Sequence, residues 1–381
     1  MNKISIRTIV IMFLFILVIT GCGGNGSAGV TQSASENGAD ATQQTGGNGG
    51  AGAMQSASEN GADATQQTGV NGGTKEDRLQ VVTTIFPVYD WARQVVGAAS
   101  KDVDVMLLVE NGVDMHSFQP TASDLMTIAD CDLFLYVGGE SDEWVEEALK
   151  TAANPDRVTL KLIDVLGDAV LEEEIAEGME HDHDEHDHNH EHEDDEEHND
   201  DERQLDEHVW LSLKNAQVLT KSISDALSTV DSDNAGTYAD NQAAYAEQLK
   251  ALDTAYQTAI ESAAFDTLLF GDRFPFLYLT RDYGLTYYAA FPGCSAETEA
   301  SFETVTFLAD KTDELQLKHL MIIEGSDGRI AQTIIDSTRE KSQKILTLDS
   351  MQSVTKDDIA TGITYLSVME GNLEVLKEAL Q

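Results

Sequence analysis

Histidine and acidic residues are grouped in this chain in a pattern that suits a divalent cation. Between Met179 and Leu205 lie His181, His183, His186, His188, His190, His192 and His198, seven of the ten histidines, interleaved with Asp and Glu. Imidazole is a good ligand for zinc, copper and nickel, and a His-rich tract is a compositional sign of metal binding. The run has too little apolar surface to offset the entropy of ordering it, so it reads as an open loop. The plainer alternative is a solvated acidic spacer, although alternating His with acid is an unusual way to build one. Two single histidines stand apart from the run. His116 lies in Gly112-Val-Asp-Met-His-Ser-Phe-Gln-Pro120, directly after an expected strand. His208 lies in Asp206-Glu-His-Val-Trp-Leu-Ser-Leu-Lys-Asn-Ala216, at the entry to an expected helix. Such element ends are where α/β proteins place ligands, although either histidine alone serves equally well as a structural hydrogen-bonding group.

The elements that must position these residues read as α/β. Gln80–Phe86 is an apolar, β-branched strand closed by Pro87, followed by a helix from Val88 to Gly97. Val103–Val109 and Asp132–Val137 are further strands. Between them, Thr121–Ala129 is a helix with Thr121 as N-cap and Asp124 in the acidic position of a capping box. After the His-rich tract, Lys214–Ser228 is helical. Tyr238, Tyr245, Leu249, Leu252, Tyr256 and Ile260 then recur at helical spacing and mark a long helix to about Ala263. Thr267–Phe270, Thr286–Ala290, His319–Glu324 and Lys344–Leu348 are the strands of a second set. Alternation of this kind implies parallel sheets. The expected architecture is two Rossmann-like lobes, each a parallel sheet with flanking helices, joined by the long helix with a cleft between them.

Charge and cysteine content narrow the function classes. The formal net charge is −45, which makes nucleic acid and anionic membrane surfaces poor partners and cations natural ones. About twenty of the 68 acidic residues fall between Leu171 and Glu207, so much of the imbalance is local. No CxxC is present among Cys22, Cys131 and Cys294, which argues against a Cys-based zinc motif or a redox motif. A disulfide between Cys131 and Cys294 is left open. At the N-terminus, Lys3 and Arg7 precede an apolar stretch, Ile9 to Ile19, too short for an ordinary spanning helix. It runs into Ile19-Thr20-Gly21-Cys22, which resembles a bacterial lipobox. That resemblance implies cleavage before Cys22, a lipid on its sulfur, and a chain exported and held at the outer face of the cell membrane. The alternative is an uncleaved N-terminal anchor. Residues 23–77 are a low-complexity tether in which QSASENGADATQQTG occurs twice, from Gln32 and from Gln55. The expected organisation is thus a signal segment (1–22), the tether (23–77), an N-terminal lobe with the His-rich loop 179–205 (78–213), connecting helices (214–263) and a C-terminal lobe (264–381).

The stretches DMHSFQPTASDLMTIADCDLFLYVG and DEHVWLSLKNA, in this order and with a His-rich acidic loop between them, resemble the signature segments of zinc and manganese solute-binding lipoproteins of ABC importers. The resemblance covers nearly all of the chain after the tether. It implies a monomeric carrier, not an enzyme, that holds one divalent metal between its lobes and delivers it to a membrane permease. It implies His116 and His208 as the first two ligands. The third family position, His in zinc binders and Glu in manganese binders, falls on Gly271, so the neighbouring Asp272 is expected in its place. Asp349, in Leu346-Thr-Leu-Asp349-Ser, matches the fourth. Glu324 and Glu299 are expected to support the ligands or to stand in for one, and Cys294 to be buried rather than ligating. Two imidazoles with two carboxylates suit zinc and also admit manganese. The imidazole tract favours zinc, with the loop as a weak outer scavenger. An exported zinc hydrolase and a metal-dependent adhesin are the alternatives; neither HExxH nor GxSxG occurs.

Overall fold

The computed structural model describes residues 78–110, 112–151, 153–180, 204–295 and 299–381. The expected signal segment with Cys22, the expected tether and all seven histidines of the expected loop lie outside the described residues. The N-terminal half runs β1 (Leu79–Thr83), α1 (Phe86–Val96), β2 (Val103–Leu107), α2 (Ala122–Asp130), β3 (Leu133–Tyr136), α3 (Trp144–Leu149), β4 (Val158–Lys161) and α4 (Leu162–Leu166). Two long helices follow, α5 (Leu213–Val230) and α6 (Ala235–Glu261). The C-terminal half runs β5 (Thr267–Phe274), α7 (Leu277–Tyr283), β6 (Thr286–Pro292), α8 (Phe302–Leu315), β7 (His319–Ile323), α9 (Arg329–Ser337), β8 (Lys344–Leu348), α10 (Lys356–Thr361) and α11 (Tyr365–Ala379).

Both sheets are four-stranded and parallel, ordered β2-β1-β3-β4 and β6-β5-β7-β8. The two orders are the same pattern, and each places its reversal of strand order beside the first strand of its half. In such sheets ligands gather beyond the carboxyl ends of the strands. Alternate residues of each strand serve opposite faces. Val81, Leu133, Leu268 and Phe270 join one large apolar cluster, whereas Val82 and Phe134 face α2 and α3, and Leu269 faces α8 and α9. The large cluster is shared by both halves and by α5 and α6, and Tyr238, Tyr245, Leu249, Leu252 and Tyr256 are buried in it as the helical spacing predicts. Hydrogen bonds tie the halves together inside this core. The Tyr365 hydroxyl donates to the Trp210 carbonyl at 2.7 Å, the Trp210 Nε1–H donates to the Ser350 carbonyl at 2.8 Å, and Asp90 accepts from the Tyr365 N–H at 2.9 Å.

Three local differences from the sequence reading have clear causes. The first strand stops at Thr83, and Pro87 opens α1 instead of closing the strand, because a missing N–H is harmless in a first helical turn. The strand β4 has no counterpart in the sequence reading; VTLK lies at a sheet edge, and its apolar-polar alternation runs for only four residues, too short a signal to mark a strand. Strand β5 continues four residues past the expected Phe270, with a register break between Phe270 and Arg273, which puts Gly271 and Asp272 inside a bulged strand and not in a strand-to-helix turn. The capping box is present: Thr121 Oγ1 accepts from the Asp124 N–H at 3.3 Å, and Asp124 accepts from the Thr121 N–H at 2.8 Å.

Candidate metal centre

The chain end of β2 feeds a loop that closes in a single helical turn, Met115–Ser117. Asp114 caps this turn by accepting from the His116 N–H at 3.0 Å, and this fixes the backbone from which the imidazole projects. The same Asp114 pairs with Arg273 of the C-terminal half, bridging the mouth of the cleft. Burial pushes the Asp114 carboxyl up, but Arg273 and His116 outweigh it and hold the group below its ordinary range. The second imidazole arrives just before α5: His208 is fully buried, with the Trp210 ring 5.2 Å away.

The two rings meet at their Nε2 atoms, 3.3 Å apart. Each Nδ1 is held by a carboxylate. His116 Nδ1 lies 3.0 Å from Glu207 Oε1, and His208 Nδ1 lies 3.0 Å from Asp206 Oδ1. A carboxylate only accepts, so the proton of each neutral ring belongs on Nδ1 and the lone pairs of both Nε2 atoms converge on one point. Two nitrogens each about 2.0–2.1 Å from a tetrahedral zinc stand roughly 3.3–3.4 Å apart, which is the separation found. Ser141, after β3, completes the support: its N–H donates to Glu207 Oε2 at 3.1 Å, its hydroxyl donates to Glu207 Oε1, and its Oγ lies 2.7 Å from His116 Nδ1. Burial pushes Glu207 up, but the hydrogen bond and charge of His116, then His208 and Ser141, hold it below the usual carboxylate range. For His208 burial pushes down, and Asp206, Glu207 and Glu173 together outweigh it and raise the imidazole.

A third donor joins them. Cys294, at the end of β6, has its sulfur within 4.8 Å of the ligating atoms of both His116 and His208. Its N–H donates to Glu173 at 3.0 Å, and its sulfur lies 3.9 Å from Glu207 Oε1. Burial, then the charges of Glu207, Glu173 and Asp206, push the thiol far up. Cys131, the other described cysteine, is buried behind the first sheet, and its thiol donates to the Ile128 carbonyl. Both cysteines are free, so the disulfide does not form.

Of the expected ligands, the structure brings together His116 and His208 but does not add Asp272 or Asp349 to this set. Asp272 lines the same cleft, a cavity of about 1000 Å³. Its two oxygens accept from the Arg273 N–H at 2.8 Å and the Ile323 N–H at 3.4 Å. Gly271 has no space for a side chain, because a Cβ there would stand 2.4 Å from the Ala331 Cα in α9. Asp349 turns back on its own loop and accepts from the Met351 N–H at 2.8 Å. Glu324 also lines the cleft. Its carboxylate is taken by the loop after β8, accepting from the Ser350 and Gln352 N–H groups at 2.7 and 2.9 Å, and burial followed by the charge of Asp349 pushes it up to about 7. Glu299 is exposed. The sequence reading gives no role to Asp206, Glu207 or Ser141. A signal for the first two is present, since both acids directly precede His208, but nothing marks which imidazole each would hold.

Residues 81–379 match the family described as zinc-uptake complex component A, periplasmic (ZnuA). The chain is similar to the zinc-binding lipoprotein AdcA of Streptococcus pneumoniae, 33% identical over 307 residues that make up 80% of this chain and 56% of that protein. It thus spans little more than half the length of these relatives. It is also similar to the high-affinity zinc uptake system protein ZnuA of Bacillus subtilis, 31% identical over 81% of this chain and 89% of that one. Among solved structures, the Zn(II)-bound ZnuA-like domain of the S. pneumoniae AdcA superposes with a TM-score of 0.61 at 29% identity, covering 80% of this chain and 99% of that domain.

Proposed function

We propose that this chain, which belongs to the family of zinc-uptake complex component A, captures zinc outside the cytoplasm and delivers it to the permease of an ABC importer. The observation that carries the reading is the pair of converging Nε2 atoms 3.3 Å apart, each ring buttressed at Nδ1 by its own carboxylate. Members of this family are solute carriers, not enzymes, and the site agrees: the acids nearest the imidazoles, Asp206 and Glu207, are committed to holding them, which leaves neither free as the general base that a zinc hydrolase requires.

His116 and His208 are the imidazole ligands in this reading, and Asp272, on the wall of the cleft, offers a carboxylate to complete the set. Asp349 is the other oxygen donor in this reading, with Glu324 and Glu299 as supporting or substitute acids. Zinc is the cargo, and manganese is the weaker competitor because it prefers oxygen-rich sites. Cys22 is the lipid anchor, residues 23–77 the tether, 78–213 and 264–381 the two lobes, and 214–263 the helices between them, in a protein that works as a monomer. The loop histidines collect zinc weakly from outside.

Zinc titration calorimetry with metal analysis tests this. The full chain should bind one tight equivalent plus weaker ones. His116→Ala or His208→Ala should remove the tight equivalent alone, and deletion of residues 181–203 the weak ones alone. A tight equivalent surviving in either histidine variant would sink the site. Its loss on loop deletion would place loop histidines in the primary coordination sphere.

A further inference from the structure

We propose that Cys294 supplies, as a thiolate, the third ligand to the zinc held by His116 and His208; this rests on the zinc-carrier reading above. The strand position from which the family resemblance implies a third ligand is closed in this chain, because Ala331 occupies the space a side chain at Gly271 would need. Just past the end of the neighbouring parallel strand, β6, a sulfur instead stands beside both imidazoles. The loop that carries it is laid directly on the second ligand: a Cβ at Gly293 would stand 3.1 Å from His208 Cε1. Glu207, which orients His116, also faces the sulfur at 3.9 Å. In a tetrahedral site with Zn–S of about 2.3 Å and Zn–N of about 2.0–2.1 Å, sulfur and nitrogen stand about 3.6 Å apart. From within 4.8 Å, the sulfur needs to move inward by about 1.2 Å at most.

The chemistry balances without a co-reactant. On binding, the Cys294 S–H bond breaks, a sulfur–metal bond forms and the proton leaves to solvent. The donor set becomes two nitrogens and one sulfur, with an oxygen from Asp272 or water in the fourth place. A thiolate is a soft ligand that zinc accepts and manganese does not favour. The substitution of sulfur for the missing imidazole therefore turns this carrier further towards zinc and away from manganese.

Cobalt(II), added at one equivalent to the full chain, is the probe. Wild type should show a sulfur-to-cobalt charge-transfer band in the near ultraviolet as well as visible bands that His208→Ala removes. Cys294→Ser should lose the charge-transfer band and keep the visible ones. Zinc affinity of Cys294→Ser should fall by more than the roughly 10–100-fold that loss of a supporting contact costs, manganese affinity should stay level, and zinc binding should release one proton fewer than in wild type. Cys294→Ala, which leaves no hydroxyl to substitute for sulfur, should weaken zinc at least as much. Visible bands without a charge-transfer band in wild type, a charge-transfer band that survives in Cys294→Ser, or unchanged zinc affinity would each overturn the assignment while leaving the carrier reading intact. Absence of any His208-dependent cobalt site would overturn both.

Discussion

The two halves of the molecule share a strand order, β2-β1-β3-β4 and β6-β5-β7-β8, yet they present metal donors in opposite ways. The N-terminal half faces the cleft with His116, held by Glu207 and Ser141, while His208 comes from the same Asp206-Glu207-His208 tripeptide that supplies both buttressing acids. Its donors are aimed before any metal arrives. The C-terminal half offers acids that are engaged elsewhere: Asp272 with the backbone of Arg273 and Ile323, Asp349 with that of Met351, and Glu324 with that of Ser350 and Gln352. Among its described residues, the one donor already beside the imidazoles is the Cys294 sulfur. A shared topology thus fixes where ligands can arise, at the carboxyl ends of parallel strands, but packing decides which strand end is open to one.

The sharpest way to break this comparison is to take away the preset orientation. Glu207→Gln leaves one carbonyl oxygen and turns an NH₂ towards donors, since Glu207 accepts from the Ser141 N–H and hydroxyl as well as holding His116. Zinc affinity should fall by about 10–100-fold. Asp206→Asn should cost less, because the oxygen that meets both the His208 N–H and Nδ1 has a counterpart in Asn. Calorimetric titration of both variants reads the order, and equal affinities in wild type and Glu207→Gln would show that the imidazoles need no buttress.

How much of the molecule is legible in its sequence follows the same division. His116 and His208 can be read because each sits in a distinctive segment at an element end, and Lys344–Leu348 can be read to its boundaries because Ile345, Leu346 and Leu348 form a short, mostly apolar run between polar flanks. The Thr121 capping box is legible because its two partners are three residues apart. What stays hidden depends on distances across the fold. Nothing in the sequence says that Ala331 fills the space at Gly271, that β5 continues through a bulge, or that Cys294, expected only to be buried, stands beside two imidazoles more than 80 residues upstream. Asp272 is expected as a ligand from adjacency alone, and adjacency in a bulged strand does not determine where a carboxylate finds its hydrogen bonds.

The closed position in the C-terminal half supplies the next test. Gly271→Ala places a methyl group 2.4 Å from the Ala331 Cα and 2.7 Å from its Cβ and N. Most of these atoms are helix backbone and cannot swing aside, so the variant should lose about 1–3 kcal/mol of stability without gaining zinc affinity. Denaturant midpoints and zinc titration together check this. A Gly271→His variant that folds normally and binds zinc more tightly would mean that α9 yields easily, and the contrast between the halves would then rest on residue choice and not on packing.

The smallest expected effect probes the acid stored beneath the buttress. Asp142, just after Ser141, accepts at Oδ2 from the Val137 and Gly138 N–H groups at 3.0 and 2.9 Å. Burial, joined by the charge of Glu207, pushes its carboxyl from the ordinary 3.8 up to about 7, against the pull of the two N–H groups and Lys161. The folded state therefore binds this proton more tightly than the unfolded chain does. The stabilisation is fully present below the ordinary value near 3.8 and is lost as pH rises through about 7. Asp142→Asn keeps a carbonyl oxygen for the same N–H groups and removes the titration. At pH 4.5 it should match wild type within about 1 kcal/mol, and by pH 8 it should be the more stable of the two, by on the order of 1 kcal/mol for every tenfold by which folding tightens the hold on the proton. Urea midpoints of the zinc-free proteins across this range read the difference directly, and the imidazoles cancel because both proteins carry them. Parallel curves would show that Asp142 ionises as an ordinary carboxylate does, and that the charge of Glu207 reaches no further into the N-terminal half than the histidine it holds.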